Sequence, residues 1–241
     1  MSMDIKSIPK TIIIVPAYNE EDSIATTLTS LMEIKNKTEK LEVCVVNDGS
    51  TDSTEEIIKE FDIVQLKLPQ NLGIGGAVQT GYKYAYNHGY EIAIQFDADG
   101  QHNTKDLFEL MEPIIEGEED MVIGSRFLQK TEYKGSITRR IGIYYFYFVL
   151  KVLTKKNFTD PTSGYRAINR KVIALFAQNY PKDYPEPEVL MHLNRKKMRI
   201  KEVTANMHAR QGGASSITPW KSIYYFGKVT LSILMQSIVK E

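Results

Sequence analysis

IAIQFDADGQHN, residues 92–103, is an apolar run that stops at two aspartates one residue apart, Asp97 and Asp99, with Gly100 behind them. A short apolar run closed by turn residues predicts a buried strand. An Asx turn that ends the strand and caps the next helix explains the aspartates structurally. A divalent metal site explains them chemically, because hard cations take carboxylate oxygens. D-x-D alone does not separate the two readings, so the flanking sequence has to.

Working outward, apolar runs at TIIIVP (11–16), LEVCVVND (41–48), DIVQLKL (62–68), EIAIQF (91–96) and DMVIGS (120–125) alternate with amphipathic stretches at 20–34, 53–60, 74–88 and 104–116. That order predicts βαβ units and an α/β fold with a mostly parallel sheet flanked by helices. In open sheets of this kind, ligands bind beyond the carboxyl ends of the strands. Those ends carry PAYNEE (16–21), NDGSTDST (47–54), QNLGIGG (70–76) and DADGQH (97–102), which are therefore expected around one crevice.

The pattern changes after residue 126, with IGIYYFYFVLKVL (141–153), DPTSGYR (160–166), YPKDYPEPEV (180–189) and WKSIYYFGKVTLSILMQSIV (220–239). No repeat, low-complexity tract or long linker interrupts the chain, so residues 1–241 read as one domain whose second half, from about 126, extends the first. The first aromatic segment is too short for a bilayer span of about 20 residues, and Lys221 and Lys228 break the second. Aromatic faces with flanking cations suit helices lying in a membrane interface; helix-helix core or a homo-oligomer contact is the competing reading of the same pattern.

Of the 241 residues, 42% are apolar and 25% charged, and the 30 Lys+Arg balance the 30 Asp+Glu, which excludes a basic nucleic-acid track. Cys44 stands alone in an apolar run and forms no internal disulfide, and MSMDIKSIPK lacks the apolar region of a signal peptide. Both features lead us to expect a cytoplasmic protein.

In NDGSTDST, Asp48 closes a strand and Ser53-x-x-Glu56 reads as a capping box. Asp48 is also placed to accept hydrogen bonds from a nucleobase or ribose, with PAYNEE leaving a neighbouring strand in a similar turn. NLGIGGAVQTG (71–81), including Asn71 and Gly73, is a glycine-rich approach to a helix whose N–H groups suit phosphate, although its spacing matches neither the Rossmann fingerprint nor the P-loop.

The order IVPAYNEE, VVNDGSTDST, NLGIGGAVQTG, FDADGQH, GSR, DPTSGYRAINR resembles family 2 glycosyltransferases of the GT-A fold over about residues 11–215. Within that family it is most similar to the branch of dolichyl-phosphate mannose synthases and related bacterial polysaccharide enzymes. The resemblance implies an inverting, metal-dependent transferase, with residues 1–125 binding a nucleotide sugar (UDP-, GDP- or dTDP-sugar) and the second half serving a lipid-linked acceptor, a polyprenyl phosphate or lipid-linked saccharide. It implies Mg²⁺ or Mn²⁺ at Asp97, Asp99 and Gln101, with His208 approaching from the C-terminal side, while His102 is expected to cap the following helix. It implies nucleotide contacts from Pro16, Ala17, Tyr18, Glu20, Asp48, Asn71, Gly73, Asp97 and Ala98, and phosphate contacts from Arg126 and Arg210. Arg139 and Arg140 are expected to meet a lipid phosphate, and Ser163, Gly164 and Arg166 to line the acceptor site. A sugar hydroxyl acceptor needs a base: Glu188 is the first choice, with Glu186 its neighbour and Asp160 third, although Pro187-Glu188 stands where the family usually has an acidic pair. A polyprenyl phosphate, already an anion, needs none. Function would then sit at the inner face of the cell membrane, directly or through a small membrane partner protein. The alternatives are a sugar-phosphate nucleotidyltransferase, whose Gly-rich loop with Arg and Lys PAYNEED lacks, and a non-catalytic nucleotide-binding module, which would be expected to lose its metal carboxylates.

Overall fold

The computed structural model describes residues 8–129, 137–183, 185–207 and 219–238, with the backbone alone for 137–139 and 219–224. Four runs predicted as strands form β1 (Thr11–Ala17), β2 (Leu41–Asn47), β3 (Val64–Lys67) and β4 (Ile92–Gln95), all parallel. Every residue of β1 is buried, as expected of a β-branched strand covered on both faces. The fifth run forms β5 (Met121–Ser125), and the second half adds β6 (Arg166–Asn169) and β7 (Ile200–Thr204) to the same sheet, whose order is β3-β2-β1-β4-β6-β5-β7. β6 runs antiparallel to both neighbours, a reversal the sequence did not announce.

Alternate strand residues divide the core in two. Ile13, Val15, Val43, Val45, Ile94 and Val122 pack against α1 (Ile24–Lys35), α2 (Thr54–Ile58) and α4 (Leu107–Ile115). Ile12, Ile14, Cys44, Val46, Ala93 and Ile168 pack on the opposite face, against α3 (Gly73–Asn87), α5 (Ile137–Thr154), α6 (Arg170–Gln178), α7 (Pro185–Arg195) and α8 (Pro219–Ile238). Gly81 lets α3 lie directly on β1, since a Cβ there would stand 2.3 Å from Ile14 Cγ2.

Both aromatic segments are helices with two faces. Ile143, Phe146 and Leu150 of α5 and Tyr225, Val229 and Ile233 of α8 are buried, with the Phe146 and Phe226 rings stacked at 5.4 Å. On the other side, Ile141, Tyr144, Phe148 and Val152 of α5 and Leu231, Met235 and Ile238 of α8 are exposed. Core packing thus accounts for one face of each helix. No helix among the described residues is long and apolar enough to cross a membrane.

The predicted capping box at Ser53 does not form: its side chain makes no cap bond, and Asp52 Oδ1 instead accepts the Thr54 N–H at 3.0 Å. The backbone N–H of Ser53 goes to the Glu21 carboxylate at 2.9 Å.

Candidate active site

The loops after β1 and β2 are tied reciprocally. Asn19, at φ 54°, accepts the Thr51 N–H at 2.8 Å and donates its own N–H to Ser50 Oγ at 3.1 Å. The Glu20 N–H goes to Thr54 Oγ1, and its carboxylate takes the Ser23 hydroxyl at 2.8 Å. Pro16 and Ala17 are buried strand residues beneath this pair of loops, whereas Tyr18 is 46% exposed at its rim.

Asp48, expected beside a nucleobase, caps the start of α3. Its two carboxylate oxygens accept the N–H groups of Leu72 at 2.7 Å and Gly73 at 2.9 Å, satisfying donors that a helix start leaves open. Burial pushes the Asp48 pKa up, and these two donors pull against it. Asn71 Oδ1 shares the Gly73 N–H at 3.0 Å. The Gly75 N–H goes to Lys182 O at 3.1 Å, and a Cβ on Gly75 would stand 2.1 Å from Pro181 O. The glycines therefore serve close backbone packing, and the N–H groups of Leu72, Gly73 and Gly75 are engaged within the chain rather than presented to phosphate.

Beyond β4, Asp97 and Asp99 answer both readings of their stretch. Asp99 Oδ1 accepts the Gln101 N–H at 3.1 Å, which is the Asx turn. Asp97 remains partly exposed at the crevice and is held by His102, whose Nδ1 accepts the Asp97 N–H at 3.0 Å while Nε2 lies 3.4 Å from Oδ2. Accepting that N–H leaves the proton of a neutral ring on Nε2, facing the carboxylate. The ring is stacked on Tyr165 at 4.5 Å. His102 is thus no helix cap: Asn103 fills that role, taking the Lys105 N–H at 3.0 Å. Ala98 is buried, and its carbonyl accepts the Thr27 hydroxyl.

Among the described residues no three His, Cys, Asp or Glu side chains group as a metal site. Two aspartates do suit a cation such as Mg²⁺, which is bound through one or two carboxylates with water and substrate phosphate as its other ligands. Mn²⁺ also takes hard oxygen ligands. The donors present therefore fit the expected ion. His208 and Arg210 lie outside the described residues.

The 160–166 loop is built around a buried ion pair. Arg126 Nε donates to Asp160 Oδ2 at 2.6 Å and Nη2 to Oδ1 at 2.7 Å, a two-pronged contact with both side chains almost wholly buried. Arg126, expected to hold phosphate, and Asp160, the third base candidate, are each other's partners. Glu202 on β7 accepts the N–H groups of Thr159 and Asp160 at 2.7 and 2.8 Å. Ser163, expected in the acceptor site, donates instead to Gly124 O at 2.7 Å and is buried. Gly164 faces Asp97: a Cβ on it would lie 3.0 Å from Asp97 Oδ1.

The two glutamates of YPEPEV part company. Glu188 accepts the Ser232 hydroxyl of α8 at 2.5 Å; burial pushes its pKa up, the Ser232 bond and Lys228 lower it, and Asp183 raises it. Glu186 is half-buried, and burial pushes its pKa up; Arg166 pulls it down, Asp97 raises it and Arg126 lowers it. Glu188 sits in the α7–α8 seam. Arg140 is exposed on α5, while the Arg139 side chain lies outside the described residues.

A family model described as glycosyl transferase family 2 matches residues 12–176. The chain belongs to glycosyl transferase family 2. This transferase is 32% identical over 211 residues to a UDP-N-acetylglucosamine–dolichyl-phosphate N-acetylglucosaminyltransferase of Methanococcus voltae, covering 79% of this chain and 82% of that protein. It is 27% identical over 175 residues to a polyprenol monophosphomannose synthase of Mycolicibacterium smegmatis, covering 68% and 63% of the two chains. These relatives fall in the synthase-like branch expected from the motifs. In shape, the transferase matches glucosyl-3-phosphoglycerate synthase from Mycobacterium tuberculosis, solved with Mn²⁺, uridine diphosphate and phosphoglyceric acid, at a TM-score of 0.73 and 20% identity over 98% of this chain and 81% of that one. The fold is GT-A, as expected.

Sequence reasoning missed three residues of the candidate site: His102 as the support of Asp97, Glu202 as the support of the 160 loop, and Gln95 beside Gly164. The alternation of β4 carried a signal for Gln95, a polar residue where both faces are buried.

Proposed function

We propose that the transferase moves a sugar from a nucleotide-activated donor to the phosphate of a polyprenyl phosphate at a membrane surface, with inversion and with a divalent metal. The observation that carries this reading is the joint apolar face of α5 and α8, exposed at Ile141, Tyr144, Phe148, Leu231 and Met235 on a protein whose strand ends present Asp97 and Asp99. The M. voltae and M. smegmatis relatives, named for dolichyl phosphate and polyprenol, support the acceptor class. Apolar side chains enter the headgroup region, and exposed Arg140 meets anionic lipid.

A phosphate oxygen of the acceptor attacks the anomeric carbon as the bond from that carbon to the nucleoside diphosphate breaks, its electron pair leaving with the diphosphate. The acceptor is already an anion, so no proton has to be removed. This agrees with Asp160 lying in an ion pair and Glu188 in a helix seam. Asp97 and Asp99 would hold Mg²⁺ or Mn²⁺, which supplies positive charge to the departing diphosphate. His102 orients Asp97, and Tyr18 at the rim offers a ring to the base. The site is expected to work at the cytoplasmic face, where nucleotide sugars are made.

The test is transfer from UDP-glucose, UDP-N-acetylglucosamine, GDP-mannose and a dTDP-sugar to a short polyprenyl phosphate in Mn²⁺ or Mg²⁺. A lipid-linked product of inverted configuration with one donor is expected. Transfer only to a sugar hydroxyl, or retention of configuration, would contradict the proposal.

A further inference from the structure

Beneath the Asp97 loop the sheet carries polar atoms that the described residues leave without partners. Gln95 ends β4 and Arg166 begins β6; they face each other in register, and both are 1% exposed. Their alternation with Ile94 and Ala167 puts both side chains on the α3 and α7 face. Arg166 donates Nε to Ser163 O at 2.6 Å and Nη2 to Pro161 O at 3.1 Å, and no carboxylate among the described residues lies at ion-pair distance. Its Nη1, and both amide atoms of Gln95, have no hydrogen-bond partner among the described residues. Buried polar groups are almost always paired, so orphans on two neighbouring residues call for an explanation.

The surroundings indicate what would pair them. A Cβ on Gly164 would lie 3.0 Å from Gln95 Nε2 and 3.0 Å from Asp97 Oδ1, so the glycine keeps side-chain atoms out of the space between the amide and the crevice. The group therefore contains the Arg166 guanidinium, which only donates, the Asp97 carboxylate, which only accepts, and the Gln95 amide, which does both. Vicinal hydroxyls, which donate and accept at once, satisfy all three. An anionic substituent would pair with Arg166 but meet Asp97.

We propose that Gln95 and Arg166, beside Asp97, form the subsite that recognises the hydroxyl groups of a neutral donor sugar, and that a side chain in place of Gly164 would crowd it. This rests on the transferase reading and deepens it by naming what selects the donor. Sites that hydrogen-bond a substrate hydroxyl discriminate strongly, because a mismatched ligand leaves buried groups unpaired.

The variant Gln95→Met tests it, with calorimetric titration in Mn²⁺ of UDP and GDP against UDP-glucose, UDP-N-acetylglucosamine, GDP-mannose and UDP-glucuronate. For the neutral sugar nucleotide that the wild-type protein uses, the variant is expected to raise Kd about tenfold or more, leaving the parent nucleoside diphosphate within about twofold. UDP-glucuronate is expected to bind no better than UDP. Gln95→Met is also expected to melt no lower than wild type, because exchanging an orphaned amide for an apolar group of similar shape is neutral or stabilising. Unchanged sugar-nucleotide affinity, equal loss of both ligand classes, or a lower melting temperature for Gln95→Met would overturn the subsite. A wild-type protein that bound no nucleoside diphosphate would instead overturn the transferase reading beneath it.

Discussion

His102 holds Asp97 at two points, accepting its backbone N–H on Nδ1 at 3.0 Å and setting Nε2 3.4 Å from its carboxylate. Supports of this kind behind a metal ligand typically contribute 10- to 100-fold in affinity, by the order of about one to two powers of ten. His102→Phe keeps an aromatic ring against Tyr165 but removes both nitrogen contacts. It is expected to weaken Mn²⁺-dependent binding of a nucleoside diphosphate by about tenfold or more. Equal affinity in the variant would mean that the histidine serves only packing.

The Arg126–Asp160 pair predicts a stability effect. Asp160→Asn leaves a buried guanidinium facing a neutral amide, and breaking a buried pair from one side costs about 3–5 kcal/mol. Urea unfolding is expected to show a loss of that size. A variant as stable as wild type but without activity would return Asp160 to a role in the chemistry.

Glu188 predicts the opposite combination. Its raised pKa means that the folded state favours the protonated carboxyl; that contribution to stability is full below the ordinary carboxylate value of 4.5 and is lost as pH rises through the folded pKa. Glu188→Gln should keep a hydrogen bond to Ser232 and flatten the fall in stability over that window. Its transfer rate is expected within about threefold of wild type, whereas loss of a general base costs on the order of 10²–10⁴. A loss in that larger range would make Glu188 the base and a hydroxyl the acceptor.

The α5–α8 face predicts reversible binding to anionic vesicles, weakened by salt because each basic residue near the surface contributes roughly 1 kcal/mol. Flotation with phosphatidylglycerol vesicles at low salt is expected to carry wild type upward, and Phe148→Asp with Met235→Asp to leave it below. A wild-type protein that stays in the soluble fraction would assign the face to a protein contact.

The strands were legible because β1, β2, β4 and β5 are β-branched runs buried on both faces, and that pattern depends on local sequence alone. The direction of β6 was not, because RAIN is short and an apolar pattern carries no polarity of chain direction. The site residues divide in the same way. Asp97 and Asp99 stand out as a local pair, but the partnership of Arg126 with Asp160 spans 34 residues and exists only once β5 meets the 160 loop. Glu186 and Glu188 are two residues apart on α7, hence about 200° apart around the helix, and only the position of α8 decides that Glu188 is the one that meets Ser232. His102 resembles a cap in sequence because Asn103, the actual cap, is its neighbour.

Transfer by Asp99→Asn tests the central claim most directly. Asparagine retains an oxygen for the Gln101 N–H, so the turn survives while the charge is lost. With the donor that wild type uses, the account predicts that the variant loses a factor on the order of 10² or more, as when one group stabilising developing charge is removed, and that chelation abolishes wild-type transfer, which added Mn²⁺ or Mg²⁺ restores. Transfer by Asp99→Asn at the wild-type rate, or wild-type transfer that survives exhaustive chelation, would contradict it.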